Sequence, residues 1–255
     1  MSERRAPPTP EWIVETAADP RVTAGFLECV PDGTSGATVV LVGVVHDHPA
    51  SVARVERVID LLQPATVAVE LPPLATPLFA GEPAATSDRT RFGAEMRAAY
   101  ERARAVGART AAIDGFDGDF WRRLGGAVRR DRQSAATIGR LLAEVADVTT
   151  HALACYLSAR LPVDLIGEAE PGIAYDCTAL DAAARQAAHE RRHASRSRSL
   201  LRAIERPVTD QLLDETRERA MAARLATLRA AGPVVAVVGL EHVAEIAATL
   251  GKRDD

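Results

Sequence analysis

The chain of 255 residues is 47% hydrophobic and 26% charged, which excludes a disordered polypeptide and allows one large domain or two small ones. A net charge of -4 argues against a general nucleic-acid or anionic-membrane binder. Aromatic residues make up only 4% and alanine is abundant, so a helix-rich protein with small core side chains is expected.

Residues 1–25 read as a flexible tail and lead-in, with prolines at 7, 8 and 10 and no apolar stretch that would make a secretory leader. From 26 to 255 the pattern is that of a single α/β domain. Phe26–Val30 reads as a weak strand. Val39–Val45 is continuously apolar, as a parallel strand buried on both faces should be. Pro49 stands where a first helical turn begins, and Val52, Val55, Ile59 and Leu62 recur at helical spacing. Thr66–Leu71 is a third strand, stopped by Pro72 and Pro73. Phe92–Val106 is a helix ended by Gly107, Arg109–Ile113 a strand, and Val163–Ile166 a further candidate strand. The stretch from about 121 to 230 is otherwise almost wholly helical and reads as a long insertion. Pro233–Val238 and Val243–Leu250 close the chain as strand and helix. Strands alternating with helices predict an α/β fold, with a mostly parallel central sheet flanked by helices.

Two segments are near copies: Val39–His46 and Val235–His242 each run from a buried strand through Gly-x-x-His toward a helix. The glycine would permit a sharp exit from the strand. Each histidine would then lie at the carboxyl edge of the sheet, where open α/β sheets bind their ligands. If the strands are neighbours, His46 and His242 reach one crevice, and Glu70 at the end of the third strand brings a carboxylate to the same edge. Two histidines and a glutamate with an open position form a common catalytic-metal set. Zinc, manganese or cobalt would suit the mixed nitrogen and oxygen donors, whereas calcium would not. Asp114, at another strand end, fits a residue that orients a histidine. His48, two residues beyond His46, reads as an exposed loop residue, with a further metal ligand as the alternative.

Gly43–His46, Val69–Leu71, Gly93–Met96, Ile113–Asp114 and Val238–His242, in this order and spacing, resemble the TraB/PrgY family, related to the Tiki metalloproteases and to erythromycin-esterase-like and ChaN-like proteins. The resemblance implies a divalent-metal site built on the two Gly-x-x-His motifs and on glutamates. For the Tiki branch it implies peptide-bond hydrolysis, and for the TraB/PrgY branch a role toward peptide pheromones. It also carries over Glu95, as metal ligand or general base, and Arg217, as a charge for a carboxylate or developing oxyanion. The bland alternatives are a solvated first-turn glutamate and a surface arginine. The chain departs from the pattern at Gly115, where the family has arginine, and at Thr216, where it has glutamate.

His189-Glu190-Arg191-Arg192-His193 also matches the HExxH zincin pattern. With two arginines inside it, this helix is expected to present a solvated face, and the zincin reading is the minor one. The sequence therefore points to a cytoplasmic metal-dependent hydrolase with Glu95, Arg217 and Asp114 assisting His46, Glu70 and His242. The expected ligand is a peptide or small molecule, with no nucleic acid and no membrane insertion, and self-association is left open. The alternative is a non-catalytic protein that holds such a ligand in the same crevice.

Overall fold

A computed structural model describes residues 7–32, 37–76, 79, 93–158, 175–203 and 206–252. The apolar run expected to form a doubly covered strand is strand β2 (Thr38–Val44), buried at every position. It stands second in a five-stranded sheet ordered β1-β2-β5-β3-β4, with β1 (Leu27–Pro31), β3 (Thr66–Val69), β4 (Arg109–Ala112) and β5 (Val234–Gly239). Only the edge strand β1 runs antiparallel to its neighbour. The fold is α/β with a mostly parallel sheet, as the strand–helix alternation predicts.

Side-chain alternation along the strands divides the interior in two. Val40, Val42, Val67, Val69, Val235 and Val237 point to one face. There they meet helices α1 (Pro10–Ala17), α2 (Pro49–Leu62) and α3 (Ala94–Val106) through Ile13, Val55, Ile59, Met96 and Ala99. Val39, Leu41, Ala68, Val234, Ala236 and Val238 point to the other. There they meet α7 (Val208–Arg229) and α8 (Val243–Gly251) through Met221, Leu225, Ile246 and Leu250. Each fully buried aliphatic side chain contributes about 1.5–3 kcal/mol relative to exposure, so these two layers supply most of the driving force.

Two expectations need correction. The N-terminal lead-in is not all tail, because α1 begins with Thr9 capping Trp12 N–H and buries Ile13 and Ala17. The described part of the helical stretch is helical as expected, and its α7 covers one face of the sheet. Helices α4 (Gly118–Arg130) and α5 (Ala135–Ser158) do form a satellite core, with Phe120, Leu124, Leu141 and Val145 packed around Leu212 of α7. The candidate strand Val163–Ile166 lies outside the described residues.

The second correction concerns the paired glycines. Neither Gly43 nor Gly239 has a positive φ. Gly43 is required by space instead: a Cβ there would stand 2.8 Å from Leu240 Cδ1 and 3.0 Å from Val243 Cγ2. Gly43→Ala is therefore expected to lower stability by about 1–3 kcal/mol through overpacking. Gly25, with nothing within 4 Å of its virtual Cβ, serves as the control for Gly→Ala. Thermal unfolding of the two variants makes the comparison, and equal melting temperatures would contradict it.

Candidate active site

β2 and β5 are parallel neighbours, with Val44 opposite Gly239. The chain leaves β2 for α2 on one face of the sheet and leaves β5 for α8 on the other. This divergence creates a crevice at the carboxyl edge, the place where open α/β sheets put ligands. His46 follows β2 and His242 follows β5, so the two near-copied motifs flank it. In the ladder Gly43 faces Val238 rather than Gly239, so the two motifs are offset by one residue.

His46 is held from below. Its Nδ1 donates to Glu95 Oε1 at 2.7 Å, and the second oxygen of Glu95 accepts from Asp47 N–H at 3.0 Å. Glu95 is fully buried, so it is not a solvated first-turn residue. With both oxygens engaged it orients His46 rather than standing free as a base. The Glu95 hydrogen bond, working against burial, raises His46 to a pKa of about 9. The sharp turn that aims His46 is made by Asp47, whose φ is +57°. Its Oδ1 accepts from the N–H groups of Gly93 and Ala94 at 2.6 and 2.9 Å, capping α3 and fixing Glu95 on the helix below. From above, Tyr175 O–H donates to the His46 carbonyl at 2.7 Å.

His242 is held in the same manner by a different carboxylate. Its Nδ1 lies 2.8 Å from Glu218 Oε1, and its Nε2 lies 3.4 Å from Glu70 Oε1. Burial alone would lower its pKa, but the Glu218 hydrogen bond and the Glu70 charge outweigh burial and raise it. In both histidines Nδ1 is committed to a carboxylate; this leaves His46 Nε2 as the atom offered to a ligand, while His242 Nε2 faces Glu70. This carboxylate–histidine pairing is the arrangement that orients metal-binding imidazoles.

Glu70 lies just past β3, its Oε2 accepting from Gly239 N–H at 2.7 Å and its Oε1 from Arg217 Nη2 at 2.9 Å. Burial pushes its carboxyl above the ordinary value, while His242 and Arg217 pull it back. Arg217 also forms a two-pronged bond to Asp114, at 3.1 and 2.7 Å. Arg217 is therefore not surface charge, and Asp114 orients an arginine, not a histidine. Arg224 donates to the carbonyls of Ile113 and Gly115 and pairs with Asp117 at 2.6 Å.

The structure thus brings His242, Glu70, Arg217 and Asp114 into one network and places the His46–Glu95 pair across the crevice. The ligating atoms of His46, Glu70 and His242 are not gathered within 4.8 Å of one another, the spacing met among the described residues by His48, Cys177 and His189. A divalent cation would need the imidazoles to close on it. The donor chemistry fits such an ion: two imidazole nitrogens and a carboxylate oxygen suit zinc, manganese or cobalt.

Sequence reasoning missed Glu218, Asp47 and Tyr175. It also mistook His48, which is fully buried: its Nδ1 accepts from Ala50 N–H at 3.1 Å, capping α2, and its Nε2 meets His189 Nδ1 at 3.0 Å. The HExxH helix, α6 (Ala183–Ala203), is correspondingly not a purely solvated face. Arg191 and Arg192 are exposed as expected, but Glu190 is buried and ion-paired with Arg54 of α2, and it accepts from Ser51 O–H at 2.5 Å. A glutamate so engaged is not a free base, which removes the residue a zincin needs most. Among the described residues no helix is long and apolar enough to cross a membrane. No protein-family model, curated protein or solved structure matches the chain.

Proposed function

We propose that the chain is a metal-dependent hydrolase of the TraB/Tiki kind acting on a peptide or small amide. The observation that carries this reading is the pair of histidines flanking the divergence of β2 and β5. Each has Nδ1 bound to a buried carboxylate; Nε2 is left for a ligand at His46 and faces the Glu70 carboxylate at His242. A divalent cation held by His46, His242 and Glu70 would supply Lewis acidity toward a substrate carbonyl.

The surrounding residues have separate tasks. Glu95 and Glu218 fix the imidazole rings and the tautomer that leaves Nε2 available. Arg217 aims Glu70 and, against the effect of burial, favours its charged form by sharing its guanidinium between Glu70 and Asp114. At neutral pH His46 carries a proton that Glu95 stabilises, and a cation at Nε2 would displace it.

A second reading, a non-catalytic binder of a peptide or small ligand, is favoured by one feature. Glu70 is already neutralised by Arg217 and the Gly239 amide, as in a rigid recognition surface. Turnover separates the two. Protein reconstituted with zinc, manganese or cobalt and offered a peptide library is expected to cleave members of it. Treatment with a chelator should abolish cleavage, and so should His46→Ala. Metal binding without turnover in any reconstituted form would overturn the hydrolase reading in favour of the binder.

A further inference from the structure

Behind the crevice, three segments distant in sequence bring together donors that the proposed centre does not use. His48 comes from the turn after β2, Cys177 from the segment before α6, and His189 from α6 itself. Their ligating atoms all lie within 4.8 Å of one another. His48 is fully buried, Cys177 is 5% exposed, and His189 is half-buried. The two imidazoles are stacked with centroids 5.3 Å apart, and Tyr175 sets its ring edge-on against His48 at 4.8 Å. Hydrophobic packing does not call for this gathering, since aliphatic residues would fill the space without polar atoms to satisfy.

We propose that His48, Cys177 and His189 form a second, thiolate-containing site for a thiophilic divalent cation of the zinc class. Two imidazole nitrogens and a sulfur are borderline-soft donors that favour zinc or cobalt over magnesium or calcium. The separation of His48 Nε2 from His189 Nδ1, 3.0 Å, is close to the about 3.3 Å that two nitrogens take on a tetrahedral ion with bonds of about 2.0 Å. Three protein donors leave a fourth position. Beside the site, and sharing His189 with it, lies a cleft of 380 Å³ lined also by His193, Arg185, Arg192, Arg196 and Asp176.

The protons balance as follows. Without the ion, His48 Nδ1 accepts from Ala50 N–H, so the His48 proton sits on Nε2 and is donated to His189 Nδ1. On binding, that proton moves to Nδ1 and both facing nitrogens turn their lone pairs to the ion. The His189 proton stays on Nε2. The Cys177 thiol gives up its proton to solvent and binds as thiolate. Two hydrogen bonds, the cap from Ala50 N–H and the bond between His48 and His189, are lost in exchange for three metal–ligand bonds. Glu190, one residue from His189, is tied to Arg54 and Ser51, so this site differs from a zincin centre in its ligands and lacks that centre's base.

Cobalt(II) is the probe, added to the full chain carrying Cys29→Ser and Cys155→Ser so that Cys177 is the sole thiol. The expected result is a thiolate-to-cobalt charge-transfer band in the near ultraviolet with tetrahedral ligand-field bands in the visible. Cys177→Ser should abolish the charge-transfer band, and His189→Gln should weaken cobalt binding by roughly tenfold or more. The double variant His46→Ala, His242→Ala should keep the band, so failure of the proposed hydrolase centre reads out separately. Circular dichroism checks that each variant is folded. A folded parent that shows no charge-transfer band at excess cobalt overturns the second site. So does a band that survives Cys177→Ser or disappears in the His46, His242 double variant.

Discussion

Replacing Arg54 with alanine is expected to lower stability by about 3–5 kcal/mol, the usual consequence of removing one partner of a buried ion pair. Arg54 and Glu190 have side chains 0% and 1% exposed, and they join α2 to α6 across a fully buried ion pair. The same guanidinium donates to the Gly43 carbonyl at 3.1 Å and lies 4.0 Å over the Phe26 ring. Alanine would strand the Glu190 carboxylate, free the Gly43 carbonyl and leave a cavity. Burial opposes the charge on Arg54, and only Glu190 and more distant carboxylates favour it. The double variant Arg54→Met, Glu190→Leu removes both charges together and is expected to recover most of the loss. Urea unfolding of the single and double variants provides the measurement. A loss below about 1 kcal/mol for Arg54→Ala would place the pair among ordinary surface bridges.

Arg217→Ala is the second large effect, and it differs by acting on the candidate site itself. Arg217 pairs at once with Glu70 and Asp114, whose side chains are only 7% and 10% exposed. Its removal strands two buried carboxylates facing each other and is expected to cost about 3–5 kcal/mol near neutral pH. The sign with pH is fixed. Unpaired buried carboxyls have folded-state pKa values above their unfolded ones, so the variant gains stability relative to the parent as pH falls and the carboxyls take up protons. Arg217→Lys should recover only part of the loss, since a point charge cannot replace the fork that spans both acids. Chemical unfolding at several pH values follows this directly. A deficit independent of pH would mean that lost packing, and not the stranded charges, dominates.

The parts of this architecture legible in the sequence are those set by local pattern. Buried strands announce themselves as unbroken apolar runs, and the repeated Gly-x-x-His turns locate the edge that carries His46 and His242. The two strands that carry these turns, β2 and β5, are parallel neighbours as expected. What local pattern could not carry is long-range partnering. Glu218 reaches His242 from the helix packed above the sheet, and Tyr175 reaches His46 from 129 residues away. Neither has a spacing that marks it. His48 and Arg54 look like surface residues of an amphipathic helix start, yet α6 covers them and turns both into buried polar groups. The arginines of the HExxH segment disguised the same contact from the other side. They are exposed, while His189 and Glu190 between them and the core point inward.

The shared-cation centre is the claim on which the functional reading stands. Calorimetric titration with zinc tests it most directly in the Cys177→Ser background, where the second proposed site is disabled. The account predicts one zinc bound per chain. It also predicts that His46→Ala and His242→Ala each weaken that binding by roughly tenfold or more without changing the circular dichroism spectrum. A folded parent that binds no zinc, or single variants that bind it as tightly as the parent, would contradict it.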